Sequence, residues 1–328
     1  MKSSEKIAVV IVNWNSGAYL GECLGHLKSQ TLLPHRVFIV DNASTDGSMQ
    51  GLKESYPDWD FISLEKNTGF ASANNLAVNQ ADDCEWIAFL NPDAFARPDW
   101  LRNLMQAAEH SPDIKMFGSH MLGHGSNLLD GTGDIYHVSG VAWRRDHGMK
   151  SSEVDRKSGE IFSPCAAASL ISREAFLEGE GFDEHFFCYN EDVDLGFRLR
   201  LKGHRCMYVA DAVVEHVGSG TTSRYSDFAV YHGQRNLVWS YFRNMPGIWF
   251  WVYLPQHILF SFSALIWFSL KGKAVPVLKA RRDALKGLPR VWKLRRGTQK
   301  SKTVSGRKVI DAMSKDFWVP YTWKKGSR

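Results

Sequence analysis

The chain reads as an α/β protein built on a mainly parallel mixed sheet with helices on both faces. Three observations predict it. Uninterrupted β-branched apolar runs, beginning with IAVVIV at 7–12, have the composition of strands buried on both faces. Each run gives way to a polar cluster and then to a stretch with helical spacing. Four such strands occur in the first hundred residues, the first three each followed by a helix, and strands alternating with helices make a parallel sheet.

In order, the strand at 7–12 closes on Asn13-Trp14-Asn15-Ser16 and leads into a helix over 18–30. A second strand at 36–40 ends in the loop Asp41-Asn42-Ala43-Ser44-Thr45-Asp46-Gly47-Ser48, with a helix starting near Ser48. A third, at 61–64, ends in Asn67-Thr68-Gly69-Phe70 before a helix over 72–80, and a fourth, at 86–90, ends in Asn91-Pro92-Asp93. Residues 117–163 are richer in Gly, His and charge and less periodic, which predicts irregular strands and a mobile loop. Regularity returns over 164–176 as a strand and a short helix. A further helix opens at Glu191.

The 328 residues, 44% hydrophobic and 12% aromatic, suffice for one large α/β domain and an appendage. Charge is uneven. The stretch 271–302 carries a local +11 against +5 for the whole chain, so the rest holds −6. Just before it, 248–270 has no charged residue, is long enough to reach across a hydrocarbon core, and is interrupted by Pro255, Gln256 and His257. A basic flank behind a body that must meet cytosolic substrate disfavours a simple span. The expectation is a helix pair or re-entrant element in the cytosolic leaflet, where each nearby Lys or Arg contributes about 1 kcal/mol. The alternative is a buried core helix followed by a solvated basic tail. The basic run lacks an RNA-binding signature, so no nucleic-acid partner is expected. Five dispersed cysteines without a CxxC pair fit reduced thiols in the cytosol. The short polar start running into a strand predicts no cleavable signal peptide.

Ligands of such sheets bind beyond the carboxyl ends of the strands, where every polar loop above is placed. Asp41 stands where an acid accepts hydrogen bonds from a base or ribose, although a turn or helix cap explains it equally; Asp46 is the better cap. Asp93, leaving a buried strand, is a candidate ligand for a hard divalent cation that takes its remaining ligands from phosphate and water. His216, at another strand end, is a candidate imidazole for the same ion, while His120, His124, His137 and His147 lack metal-ligand spacing. Glu191, Asp192 and Asp194 open a helix beside Phe186, Phe187 and Tyr189. The helix dipole accounts for one or two acids there, and a shielded third makes a general base. Asp192 is assigned that role, and Asp194 a pairing with Arg198 four residues on.

Taken together, VVIVNWNS, DNASTDGS, NTGFASANN, FLNPDA, GFDEHFFCYNEDVDLGFRLRLKG, EHVGSGT and YHGQRN occur in order over 7–236, about seven tenths of the chain. This series resembles the family 2 glycosyltransferases, and specifically the bacterial rhamnosyltransferase-like branch acting on lipid-linked or surface-polysaccharide acceptors. The resemblance implies a GT-A-type, Rossmann-like fold, a dTDP- or UDP-sugar donor, Mg²⁺ or Mn²⁺, and inversion at the anomeric carbon. It matches Asp41 to the base-binding acid, Asn67 and Gly69 to the nucleotide pocket with Asn13 beside them, and Asn91 and Asp93 to the ends of the metal motif. Asp192 matches the catalytic base and His216 the later metal ligand, with Arg224 or Arg235 as cationic donors to the diphosphate. The expected architecture is a transferase domain over 1–245 and a membrane-associated helical region over 246–328, at the cytoplasmic face of the bacterial inner membrane. The competing reading is a non-catalytic nucleotide-sugar-binding scaffold.

Overall fold

The apolar run at the start of the chain becomes β1 (Ile7–Asn13), every residue of which is buried. The computed structural model describes residues 6–218 and 226–319. From β1 the chain passes through α1 (Tyr19–Lys28), β2 (Arg36–Asp41), α2 (Leu52–Ser55), β3 (Asp60–Ser63), α3 (Gly69–Gln80), β4 (Trp86–Leu90), β5 (Ala94–Ala96) and α4 (Trp100–His110). Next come β6 (Ile114–Gly123), β7 (Leu129–Gly131), β8 (Asp134–Tyr136), β9 (Ala142–Arg144), β10 (Gly159–Ile161), β11 (Ala168–Ser172) and α5 (Arg173–Glu178). The last part holds α6 (Glu191–Leu201), β12 (Arg205–His216), α7 (Asp227–Asn244), α8 (Trp249–Leu270), α9 (Ala274–Lys300) and α10 (Gly306–Asp311).

The sheet runs β10-β12-β6-β11-β4-β1-β2-β3, with β5 added to β12 and β7 to β6; β8 and β9 pair apart from it. The half carrying β4, β1, β2 and β3 is parallel, β6 and β12 are parallel, and β11 joins the two antiparallel to both neighbours. Apolar side chains of the two faces form separate cores, one under α1 and α4 and one under α3 and α5. The α/β architecture expected from the alternation is the one observed.

Differences have local causes. The helix expected near Ser48 shrinks to α2, because Gly47 and Gly51 both take positive φ and Asp46 holds the loop by accepting from the backbone amides of Gly17 and Ser48. The irregular stretch resolves into most of β6 and the three-residue strands β7, β8, β9 and β10. The segment 248–270 is not broken at Pro255 but forms one helix. Pro255 is exposed, so the carbonyl of Trp251 that it leaves without an amide donor lies on the open side. On the opposite side Phe250 and His257 are buried against the body, the His257 ring stacking on Tyr241 at 4.0 Å. Most of α8 is open, which does not match a buried core helix: Trp251, Ile258, Phe262, Ile266 and Leu270 are all exposed. The basic stretch is no loose tail either. It is α9, which packs along α7 so closely that a Cβ on Gly287 would meet the Trp239 ring at 2.5 Å.

The expected Asp194–Arg198 pair is present and buried. Asp194 is inaccessible to solvent and accepts from Arg198 Nε at 2.8 Å and from Asn244 Nδ2 of α7 at 2.7 Å. Arg243 lies 3.8 Å from Asp194 and also reaches Asp183, which binds Arg290 of α9 at 3.0 Å. A buried pair broken on one side leaves an uncompensated charge. Asp194→Ala is therefore expected to lower stability by about 3 to 5 kcal/mol in denaturant titration, and a loss under 1 kcal/mol would contradict this account of the network.

Candidate active site

A cleft of about 770 Å³ opens at the carboxyl ends of the parallel strands, with Asn91, Asp93, Asp192 and His216 all on its walls. Strand pairing sets the first cluster. Antiparallel β5 and β12 pair Ala94 with His216, so Asp93, one residue before β5, emerges beside the imidazole. Asp93 Oδ1 lies 3.3 Å from His216 Nε2, and His216 Nδ1 donates to Asp130 Oδ2 at 2.7 Å.

This arrangement fits a divalent cation. Nε2 is buried and makes no hydrogen bond of acceptable geometry among the described residues, while the Asp130 carboxylate fixes the ring from behind, as outer-shell carboxylates do for metal-binding histidines. Burial works against a charge on the ring, but the hydrogen bond to Asp130 and the Asp93 carboxylate outweigh it and lift His216 to about 8. These contacts favour the protonated ring, and a cation binding at Nε2 would displace its proton. Among the described residues no group of three His, Cys, Asp or Glu side chains is arranged around one point. The protein offers two ligands, which suits a cation completed by phosphate and water.

Electrostatics favour the same fit. Asp93, Asp130, Asp134, Glu191 and Asp192 all face the cleft, against Arg144 and the histidines 147 and 216. Burial opposes the charge of Asp130, yet Arg144 and His216 hold its carboxyl well below the usual range. Arg144 also donates to Cys165 Sγ at 3.2 Å. Asp134 and Glu191 go the other way: burial first, then the neighbouring charge of Asp192, pushes both well above the usual carboxylate range. Glu191 Oε2 has no hydrogen-bond partner among the described residues.

Asp192 sits in the first turn of α6, half-buried. Its Oδ2 accepts from the Ala166 amide at 3.0 Å and its Oδ1 from the Val193 amide at 2.8 Å, so the carboxylate is oriented by fixed backbone. Across the cleft, Asn67 and Gly69 line the wall, organised by Asn42. The Asn42 side chain donates to Asn67 Oδ1 at 3.0 Å and accepts from the Thr68 amide at 2.8 Å. Gly69 has φ +86°, and a Cβ there would come within 2.6 Å of the Phe187 carbonyl oxygen, so no other residue fits.

Three expected contacts are not made directly. Asn13 is fully buried beneath the 41–48 loop, donating to Ser44 Oγ at 3.0 Å and Ser48 Oγ at 2.9 Å, and so supports the pocket without facing it. Asp41 lies beside the wall, its Oδ1 accepting from the Ser44 amide at 3.1 Å. Arg235 is buried and turned away from the cleft, donating to the carbonyls of His185 and Phe186, each at 2.9 Å. Arg224 lies outside the described residues. The residues not anticipated, Asp130, Asp134, Arg144 and His147, all come from the aperiodic stretch; His147 Nδ1 binds the Asp130 carbonyl at 2.8 Å.

Residues 8–179 match the model of Glycosyl transferase family 2. The chain is 28% identical over 245 residues to an N-acetylglucosaminyl-diphospho-decaprenol L-rhamnosyltransferase of Mycobacterium tuberculosis, covering 67% of this chain and 79% of the relative. It is 27% identical over 235 residues to an O-antigen chain rhamnosyltransferase of Salmonella typhimurium, covering 69% and 72%. Among solved structures it is similar to GalNAc-T7 with UDP, GalNAc and Mn²⁺ at a TM-score of 0.63 and 15% identity, over 87% of this chain and 55% of that one, a likeness of GT-A fold alone. The family match over more than half the chain, with these relatives beside it, settles the membership: the chain belongs to Glycosyl transferase family 2, in its rhamnosyltransferase-like branch.

Proposed function

We propose that the chain is an inverting, metal-dependent rhamnosyltransferase that takes dTDP-rhamnose and elongates a lipid-linked glycan at the cytoplasmic face of the bacterial inner membrane. The observation that carries this reading is the meeting of Asp192 with the Asp93–His216 pair on one cleft. The named relatives support the sugar, the M. tuberculosis one a lipid-diphosphate acceptor, and the Mn²⁺ complex of the structural neighbour the cation.

In this mechanism Asp192 takes the proton of the acceptor hydroxyl as its oxygen bonds to the anomeric carbon. The bond to the nucleoside diphosphate breaks on the opposite face, so configuration inverts without a glycosyl-enzyme intermediate. Asp192 suits the role because its carboxylate is oriented by the Ala166 and Val193 amides, while burial pushes the neighbouring Glu191 and Asp134 toward their neutral forms. Asp93 and His216 would hold the cation, which when bound neutralises the diphosphate and its developing charge. Asn42, Asn67 and Gly69 shape the wall that receives the nucleotide, with Trp14 at the rim.

The transferase unit is assigned to 1–245 and the membrane-associated region to 246–328. The open apolar side of α8, with Phe262, Ile266 and Trp267, lies next to α9 and its excess of Lys and Arg. An apolar face beside a cationic one is the pattern of an element lying in the interface of an anionic leaflet.

Three outcomes are expected. Asp192→Asn lowers rhamnosyl transfer by about 10² to 10⁴ while dTDP with Mn²⁺ still raises the melting temperature; near-normal turnover in single-time-point and full kinetic assays would remove Asp192 from the role of base. Asp130→Asn weakens Mn²⁺ affinity by about 10- to 100-fold in metal titrations, and an unchanged affinity would separate Asp130 from the metal site. The protein co-sediments with vesicles containing phosphatidylglycerol and is released by Phe262→Glu with Ile266→Glu; equal binding by this double variant would mean that α8 is not the contact.

A further inference from the structure

The first turn of α6 is reached through a backbone of unusual shape. Phe187 has φ 66° and ψ −64°, and the Cys188 amide donates to the Phe186 carbonyl at 2.8 Å, which together define a γ-turn of the rare, strained hand. Tyr189 and Asn190 follow at φ 70° and 65°. Three non-glycine residues among four at positive φ cost conformational energy and persist only where surrounding structure over-determines them.

The over-determination comes from α7. The Asn236 side chain, with no solvent exposure, places Nδ2 2.9 Å from the Phe186 carbonyl, 2.9 Å from that of Cys188 and 2.8 Å from that of Tyr189. Two N–H groups thus serve three carbonyls turned to the same side, an arrangement that an ordinary extended or helical segment does not present. Arg235 adds its contacts to the His185 and Phe186 carbonyls and fixes the amide itself, Nε donating to Asn236 Oδ1 at 2.9 Å. Its guanidinium is in turn held flat over Trp239 at 4.4 Å. On the other side, the Phe187 carbonyl accepts from the Ala71 amide at 3.1 Å and lies against Gly69, so the arc also abuts the nucleotide wall.

We propose that Asn236, seconded by Arg235, is a positioning residue for the transfer reaction: it gathers three carbonyls of the 186–190 arc and thereby sets where α6 begins and where Asp192 stands in the cleft. This rests on the assignment of Asp192 as base. Without the amide the arc relaxes toward ordinary backbone and α6 starts elsewhere. A displacement of the order of 1 Å at the base impairs proton transfer without removing any group that touches the nucleotide.

The test compares Asn236→Ala, Arg235→Lys and Asp192→Asn, with turnover normalised to sites that bind dTDP in the presence of Mn²⁺, so that a smaller folded fraction does not register. Asn236→Ala is expected to lower kcat per site by about 10- to 100-fold, with donor KM and dTDP affinity within about threefold of the parent. Arg235→Lys, which keeps the charge but loses the forked reach to two carbonyls, should show the same split at smaller amplitude. If Asn236→Ala does not fold, Arg235→Lys decides by the same criterion. A folded variant with kcat per site equal to the parent, or one whose nucleotide affinity falls in step with kcat, overturns the proposal. Failure of the base assignment is distinguishable, because Asp192→Asn itself would then keep its turnover.

Discussion

Everything at the cleft depends on how α6 is held, and it is held by buried charge. Asp194, two residues beyond Asp192 and without solvent contact, is bound on one side by Arg198 of its own helix and on the other by Asn244 of α7, with Arg243 and Asp183 extending the set to Arg290 of α9. Apolar packing alone would let a helix slide or rotate by a fraction of a turn at small cost. A buried carboxylate held by two donors in fixed directions, with a third cation beside it, does not allow it. Such networks add little net stability over a well-packed apolar alternative, so the consequence here is specification of position. The same network ties α8 and α9 to the end of the molecule that carries the cleft, since α9 reaches Asp183 and an apolar cluster joins Phe197 and Tyr241 to Phe250.

The parallel half of the sheet was legible because its information is local. A doubly buried strand must be apolar throughout, and the loop after it must be polar, so Asn67, Gly69, Asn91 and Asp93 could be placed at a ligand-binding edge from spacing alone. The Asp194–Arg198 pair was legible for the same reason, four residues being one helical turn. Asp130, Asp134 and Arg144 were not, because three-residue strands impose no period and their roles arise from pairing: β7 on β6 brings Asp130 behind His216, and β9 on β8 sets Arg144 opposite Asp134, from where its side chain reaches Asp130. Arg235 misled for a related reason. The resemblance puts a cation after His216 in sequence, but the face Arg235 takes on α7 is decided by the carbonyls of His185 and Phe186. Pro255 likewise reads as a break, and the helix continues because burial of Phe250 and His257 on either side outweighs one missing hydrogen bond at the open surface.

The carboxylates of the cleft divide according to their partners. Asp130 is kept ionised by Arg144 and His216, whereas Asp134 and Glu191 are driven toward the neutral form by burial and by the charge of Asp192. Two ends of one cleft therefore differ: near His216 the carboxylates of Asp93 and Asp130 flank the imidazole, and near α6 Asp134 and Glu191 are pushed toward their neutral forms. A nucleoside diphosphate entering this cleft without a cation would meet Asp93 and Asp130, faced among the described residues by Arg144, His147 and His216, and the His216 ring already lies between the two carboxylates. Charge balance thus links the donor to the ion before any geometry of the complex is considered. On the proposed assignment the Asp192 side of the cleft is free of that requirement, because Asp134 and Glu191, driven toward their neutral forms, stand between it and the charged groups at His216.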